Sequence, residues 1–187
     1  ADLAAFLKLA RESKEPLHYA SGGKGTIMHI SSEFLQREAR LRMEHVLYKG
    51  AGPGLVDLIA GRVQSMFVPV HNVLAHAERG RLRILMVADD RRMPQIPDVP
   101  AATELGYRDM QLIAWSGVFA PAGTPRAVTD RLTQEFMKSL ANDEVAEAIR
   151  RRGGDVEAQA GPEFAEAMRQ ELERFRRLMK DIRVEMD

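Results

Sequence analysis

Two glycine-rich turns constrain this chain more than any other feature. The first, Ser21-Gly22-Gly23-Lys24-Gly25-Thr26, follows a short apolar run at residues 17–20 and precedes Ile27, Ile30, Phe34 and Leu41, which recur at helical spacing. Thr26 stands where a helix N-cap belongs. The second, Lys49-Gly50-Ala51-Gly52-Pro53-Gly54, follows residues 45–48 and leads into Leu55-Val56-Asp57-Leu58-Ile59-Ala60, with Gly61 as the helix stop. A further apolar run at 63–70 continues the alternation of strand, turn and helix. Alternation of this kind implies an α/β layered fold.

Around these units the pattern is more varied. Leu3, Phe6, Leu7 and Ala10 predict a helix stopped by Pro16, and residues 73–79 a short helix ended by Gly80. Residues 82–88 and 113–120 read as strands. Between them Pro94, Pro97 and Pro100 mark an extended loop, and 101–106 a short helix with its own glycine stop. Ala120-Pro121-Ala122-Gly123-Thr124-Pro125 is the clearest internal boundary. Beyond it the chain turns helical, with one stripe of Val128, Leu132, Phe136 and Leu140 and another of Phe164, Met168, Leu172, Phe175, Met179 and Ile182. Residues 155–158 read as a brief edge strand. The two stripes need cover, so the expectation is that this region folds back, pairs with a second copy of the chain or is partly disordered.

Composition narrows the classes. Among 187 residues, 27 Lys and Arg balance 27 Asp and Glu, which disfavours nucleic-acid binding by bulk charge. No apolar run nears the ~18 residues of a membrane span, and Ala1-Asp2-Leu3 does not open a signal peptide. The absence of cysteine excludes disulfides, thiolate metal sites and cysteine nucleophiles, and leaves the compartment open.

A glycine turn between strand and helix aims main-chain N–H groups outward at the positive end of the helix dipole, an arrangement suited to an anion. In the first turn the Ser21 and Thr26 hydroxyls and the Lys24 ammonium add donors for a carboxylate or phosphate. The bland alternative is a tight connection and nothing more. Nucleotide motifs fail on spacing: Gly25 separates Lys24 from Thr26, and Gly50, Gly52 and Gly54 miss G-x-G-x-x-G by one residue. The histidines at 18, 29, 45, 71 and 76 contain no H-x-x-x-H pair, so no metal site is expected. His29 and Glu33, four apart on the second helix, suit a pair of structural or acid–base kind. Ser116 is not in G-x-S-x-G and no catalytic triad emerges, so the chain does not read as an enzyme. Asp89-Asp90-Arg91-Arg92 reads as a solvated junction and Arg150-Arg151-Arg152 as a basic helix end.

Longer motifs carry a family resemblance. Tyr19-Ala20-Ser21-Gly22-Gly23-Lys24-Gly25-Thr26 with His29 resembles Y-G-S-x-G-x-G-T-x-x-H, and Tyr48-Lys49-Gly50-Ala51-Gly52-Pro53 with Asp57-Leu58-Ile59-Ala60-Gly61 resembles Y-K-G-x-x-P-x-x-x-D-L-x-x-G. His76 with Gly80-Arg81-Leu82-Arg83, Ile96-Pro97-Asp98-Val99-Pro100-Ala101 with Glu104-Leu105-Gly106, and Trp115-Ser116-Gly117 through Pro125 match further segments in order. Together they resemble the substrate-binding proteins of tripartite tricarboxylate transporters, the Bug-type periplasmic receptors.

The resemblance implies a type II periplasmic-binding-protein-like α/β fold whose lobes close on a small carboxylate and deliver it to a membrane permease, with no cofactor. Residues 1–113 then correspond to ligand-binding lobe two, and 114–187 to the crossover strand and the C-terminal, mainly helical part of lobe one. The family's N-terminal segment has no counterpart among these residues. Ligand-binding positions carried over are Ser21, Gly22, Gly23, Gly25 and Thr26 in the first turn and Tyr48, Lys49, Gly50 and Ala51 in the second. Two departures stand out: Met66-Phe67-Val68-Pro69 replaces the Met-Phe-Asp-Asn of many members, pointing to a larger or less polar ligand, and Lys24 adds a charge where a small polar residue is common. A ligand-sensing effector domain of a regulator is the alternative of the same fold, and an enzyme gripping a phosphate ester is a third reading.

Overall fold

The computed structural model describes residues 2–181, so Ile182 of the last stripe lies outside the described residues. They divide into two compact units, one of residues up to Ala114 with the end of the last helix from Met179, the other of Trp115–Leu178.

In the first unit α1 (Leu3–Glu12) is capped by Asp2, whose Oδ1 accepts from Ala5 N–H at 2.8 Å, satisfying a donor that a helix start leaves open. Leu3, Leu7 and Ala10 form its buried stripe. Then come β1 (Leu17–Ser21), α2 (Ile27–Ala39), β2 (Met43–Leu47), α3 (Ala51–Ile59) and β3 (Ser65–Met66). The strands form one parallel sheet in the order β2-β1-β3. With neighbours on both sides, β1 is the enclosed strand, and Tyr19, Ala20 and Ser21 are fully buried. Phe34 and Leu35 of α2 complete this core, each contributing roughly 1.5–3 kcal/mol by burial.

Several boundaries differ from the sequence expectation for identifiable reasons. Helix α2 stops at Arg40, which takes a left-handed φ of 52°, so Leu41 leaves the stripe and donates its N–H to Gln36 O instead. Helix α3 starts at Ala51 rather than Leu55, because Pro53 falls in the first turn, where its missing N–H has no helical partner to lose. β3 is confined to Ser65–Met66, the residues of this segment that pair with β1, rather than 63–70. The expected helix at 73–79 is a 3-10 turn at Val70–Asn72 followed by α4 (Leu74–Glu78), and that at 101–106 is a 3-10 turn at Thr103–Leu105. Residues 82–88, 113–120 and 155–158 are not strands, since extended chain becomes a strand only by pairing. A single bridge, Val87 to Ala101, is the only pairing along these segments among the described residues.

The second unit is mostly helical: α5 (Arg126–Leu140), α6 (Asp143–Arg151) and most of α7 (Gly161–Asp181). Asn142 caps α6 by accepting from Glu144 and Val145 N–H, and its acidic start and basic end complement the helix dipole. The apolar stripes exist but lie partly open, with Leu140, Phe164, Phe175 and Met179 half-buried. Val128, Leu132 and Phe136 are 45–47% exposed and Leu172 is 50% exposed. Trp115 and Phe119 each meet the Phe164 ring at 5.7 Å, a small aromatic cluster around Gly117. No described helix is long and apolar enough to cross a membrane.

Candidate anion-binding crevice

Both glycine turns leave the carboxyl ends of adjacent parallel strands, where open α/β sheets form their ligand crevices. Pairing between β1 and β2 runs on into the turns: Tyr48 N–H donates to Ser21 O and Gly50 N–H to Gly22 O, each at 3.0 Å. Glycine is required at position 22 for this approach, since a Cβ there would stand 2.9 Å from Gly50 C, 3.1 Å from Ala51 N and 2.3 Å from Met28 Cε. The start of α3 therefore lies against the turn that leads into α2. Each helix start carries the equivalent of roughly half an elementary positive charge. Thr26 caps α2 with its side chain, whereas Gly50 at the head of α3 supplies no side-chain acceptor. Lys24 and Lys49, one on each turn, are exposed. Chemically this is a place for a carboxylate or phosphate oxygen.

Beneath the first turn lies a buried polar assembly. Gly25 N–H donates to His29 Nδ1 at 3.1 Å. The His29 ring stacks on His45 at 4.2 Å, and His45 on Tyr19 at 4.9 Å. Tyr19 and His45 meet because they are register partners of β1 and β2. Tyr19 O–H donates to Glu33 Oε1, which also accepts from Gln36 Nε2 at 2.8 Å, and Gln36 Oε1 accepts from Met43 N–H at 2.6 Å. Ser21 Oγ lies 2.6 Å from His45 Nε2, donates to Gly23 O and accepts from Gly23 N–H.

Burial holds the His29 imidazole below its ordinary pKa; Glu33 opposes that shift and Lys24 adds to it. His45 is lowered by burial first and by the neighbouring His29 second. Burial and the bond to Glu33 push the Tyr19 phenol up. Both shifts favour the neutral imidazoles at neutral pH, and the stacked rings disfavour a charge on both at once. The Ser21–His45 contact has the separation of a nucleophile and its base, and Ser21 is fully buried.

The structure brings the two predicted turns together and assigns their side chains differently from their backbones. Ser21 and Thr26 turn their hydroxyls into the loop, Thr26 Oγ1 donating to Gly23 O at 2.7 Å and accepting from His29 N–H. Tyr48 is likewise engaged, its O–H donating to Asp57 Oδ2 at 2.8 Å while Arg62 donates to Oδ1 at 2.6 Å. Those two bonds hold the Asp57 carboxyl below the usual carboxylate range, Tyr48 first. The N–H groups of Gly23, Gly25 and Gly50 are engaged by Ser21 Oγ, His29 Nδ1 and Gly22 O, Gly22 and Ala51 lie where the two turns meet, and Lys49 is exposed. The expected His29–Glu33 hydrogen bond is not formed: His29 Nδ1 accepts from Gly25, and Glu33 Oε1 accepts from Tyr19 and Gln36. Tyr19, Gln36 and His45 escaped sequence reasoning: only the strand register and the helix packing bring them under the turn.

The fold and this crevice define a parallel α/β binding unit of the periplasmic-binding-protein class. The profile of the tripartite tricarboxylate transporter family receptor matches residues 1–184, and the chain belongs to that family. It is 37% identical over 184 residues to the UPF0065 protein in the tcbD-tcbE intergenic region of Pseudomonas sp. (strain P51), covering 98% of this chain and 55% of that protein. To BugT of Bordetella pertussis it is 29% identical over 151 residues, 81% of this chain and 46% of that one. The chain thus spans about half the length of these relatives. Among solved structures, MatC from Rhodopseudomonas palustris with bound malate superimposes with a TM-score of 0.86 at 28% identity, over 95% of this chain and 61% of that one. A second R. palustris protein, with adipate, gives 0.89 at 25% identity, over 96% and 60%.

Proposed function

We propose that this chain acts in an extracytoplasmic solute receptor that captures a small organic acid in the periplasm and passes it to the membrane permease of a tripartite tricarboxylate transporter. In this reading residues 1–113 are the ligand-binding lobe, and 114–187 supply the mainly helical part of its partner lobe. The observation that carries it is the contact between two helix-starting glycine turns, which concentrates amide dipoles and two lysines at one crevice. Carboxylate ligands in two structural relatives, malate and adipate, support the same chemistry. Backbone N–H groups of Gly22 and Ala51 are the proposed first contacts, with Lys49 as a counter-charge, while the N–H groups of Gly23, Gly25 and Gly50 are engaged within the turns and hold their shape. Ser21, Thr26 and Tyr48 fix the shape of the turns. Val68 and Pro69 follow β3 in half-buried positions and favour an acid with an apolar body.

The test is a thermal-shift screen of the 187-residue chain against mono-, di- and tricarboxylates, malate and adipate included. A ligand at about 100 times its Kd should add roughly 2.7 kcal/mol of stability. A selective rise in Tm, lost in Gly22→Ala, supports the reading. No rise with any acid overturns it for this chain.

A further inference from the structure

The anion turn and the buried stack beneath it meet at one hydrogen bond, and its direction has a chemical consequence. Gly25, at a φ of 72°, sends its N–H inward to His29 Nδ1. An imidazole accepts there only when Nδ1 carries no proton, so His29 is neutral with its proton on Nε2. A second proton would set two N–H groups against each other at 3.1 Å, in a site where His29 is only 6% exposed. Gly25 would have to move. It sits between Lys24 and the helix cap Thr26, so the shape of the turn moves with it.

Four groups face the His29 ring. Glu33, on the same helix, favours a charge on it, but its Oε1 already accepts from Tyr19 and Gln36. Lys24 in the turn opposes one. His45 of β2 stacks at 4.2 Å and repels it when protonated, while Tyr19 of β1, at 6.3 Å, stays an uncharged phenol. His45 holds the other end of the turn through Ser21 Oγ, which in turn accepts from Gly23 N–H. Unlike His29, a protonated His45 can keep its contact by donating from Nε2 to Ser21 Oγ, so a charge there acts on the turn chiefly by repulsion through the stack.

We infer that His29 is a positioning residue for the anion crevice: its neutral imidazole anchors the turn at residues 22–26, and its protonation loosens that turn and weakens anion capture. The effect on capture rests on the carboxylate reading above, while the effect on the turn stands without it.

Nitrogen-15 NMR of the 187-residue chain separates the two. At pH 8 the His29 ring should show an unprotonated, hydrogen-bonded Nδ1. As the pH falls from 8 to 5, the Gly25 amide should shift with the same midpoint as that ring, while the Gly61 and Gly80 amides stay still. His29→Asn, whose side-chain oxygen replaces Nδ1 as an acceptor that cannot titrate, should keep the turn and abolish the Gly25 titration. A proton on Nδ1 at pH 8, or an unmoved Gly25 in the unsubstituted chain, overturns the inference; neither depends on the variant folding. So does the same Gly25 titration in His29→Asn. For capture, malate and adipate affinities measured by calorimetry at pH 8 and at the midpoint of the His29 titration should weaken by up to about twofold, and should not do so in His29→Asn. Unchanged affinity overturns the coupling. If neither acid binds at any pH, the carboxylate reading fails for this chain, and the NMR titration still decides the role of His29.

Discussion

In the first glycine turn, the Ser21 and Thr26 hydroxyls and the His29 and His45 rings all bond the loop itself, above a buried polar layer. In the second, Gly50 opens α3 with no side-chain cap, Gly52 is exposed, and a Cβ at either position would meet nothing within 4 Å. The two turns have similar compositions and both start helices at strand ends. One is shaped by its own side chains and the other is held mainly by hydrogen bonds to the first. Rigidity is therefore built into one wall of the crevice and lent to the other, an economical way to preorganise two rows of amides.

The largest expected effect that tests this contrast is Gly22→Ala against Gly52→Ala. The first forces a Cβ onto the backbone of the second turn and should cost about 1–3 kcal/mol in denaturant unfolding, together with ligand response. The second adds a methyl in open space on a helix and should be neutral or stabilising by up to about 1 kcal/mol. Equal costs would mean that the turns do not differ in the way described.

Next comes Thr26→Ala, which deletes the only side-chain cap in the crevice and should lower stability by about 1 kcal/mol in the same measurement. No loss would place the anchoring of the first turn wholly in its histidines.

The pH dependence follows in size. His29 and His45 both lie below their ordinary pKa in the folded chain, so the unfolded chain binds protons first as pH falls. Their contribution to stability is complete above the unfolded value of about 6.5 and is lost as pH falls from there toward the folded-state values. Chemical denaturation at a series of pH values should show this decline, with a shallower slope in His29→Asn. A steeper slope in the variant would contradict the assignment.

The smallest effect belongs to the second turn. Tyr48→Phe removes the leading cause of the Asp57 shift and should raise that carboxyl toward its ordinary value, read by carbon-13 NMR titration, while the first turn's amides stay unmoved. Movement of the Gly25 amide in this variant would show that the two turns are more tightly coupled than their two backbone hydrogen bonds imply.

Much of the crevice was legible in the chain. Strand, glycine turn and helix follow from local spacing, and Thr26, Gly61 and Gly80 stand where helices start and stop. The proposed binding positions fall on turns that the fold brings into contact. What misled was extended chain without a partner: residues 82–88 and 113–120 have strand composition, but hydrogen-bonded neighbours make a strand, and local sequence does not report them. The stripes of α5 and α7 are apolar as their spacing indicates, yet the structure leaves part of each exposed.

The sequence by itself determined the order of elements, the two glycine turns at strand ends, and the family motif that runs through both. These are matters of spacing and backbone permissiveness, written in consecutive residues. Tertiary structure decided that Tyr19 faces His45, that His29 stacks on both rings, and that Glu33 serves Tyr19 rather than His29. The reason is that register and packing join residues distant along the chain. The protonation state of a buried ring depends on those neighbours and on the water they exclude.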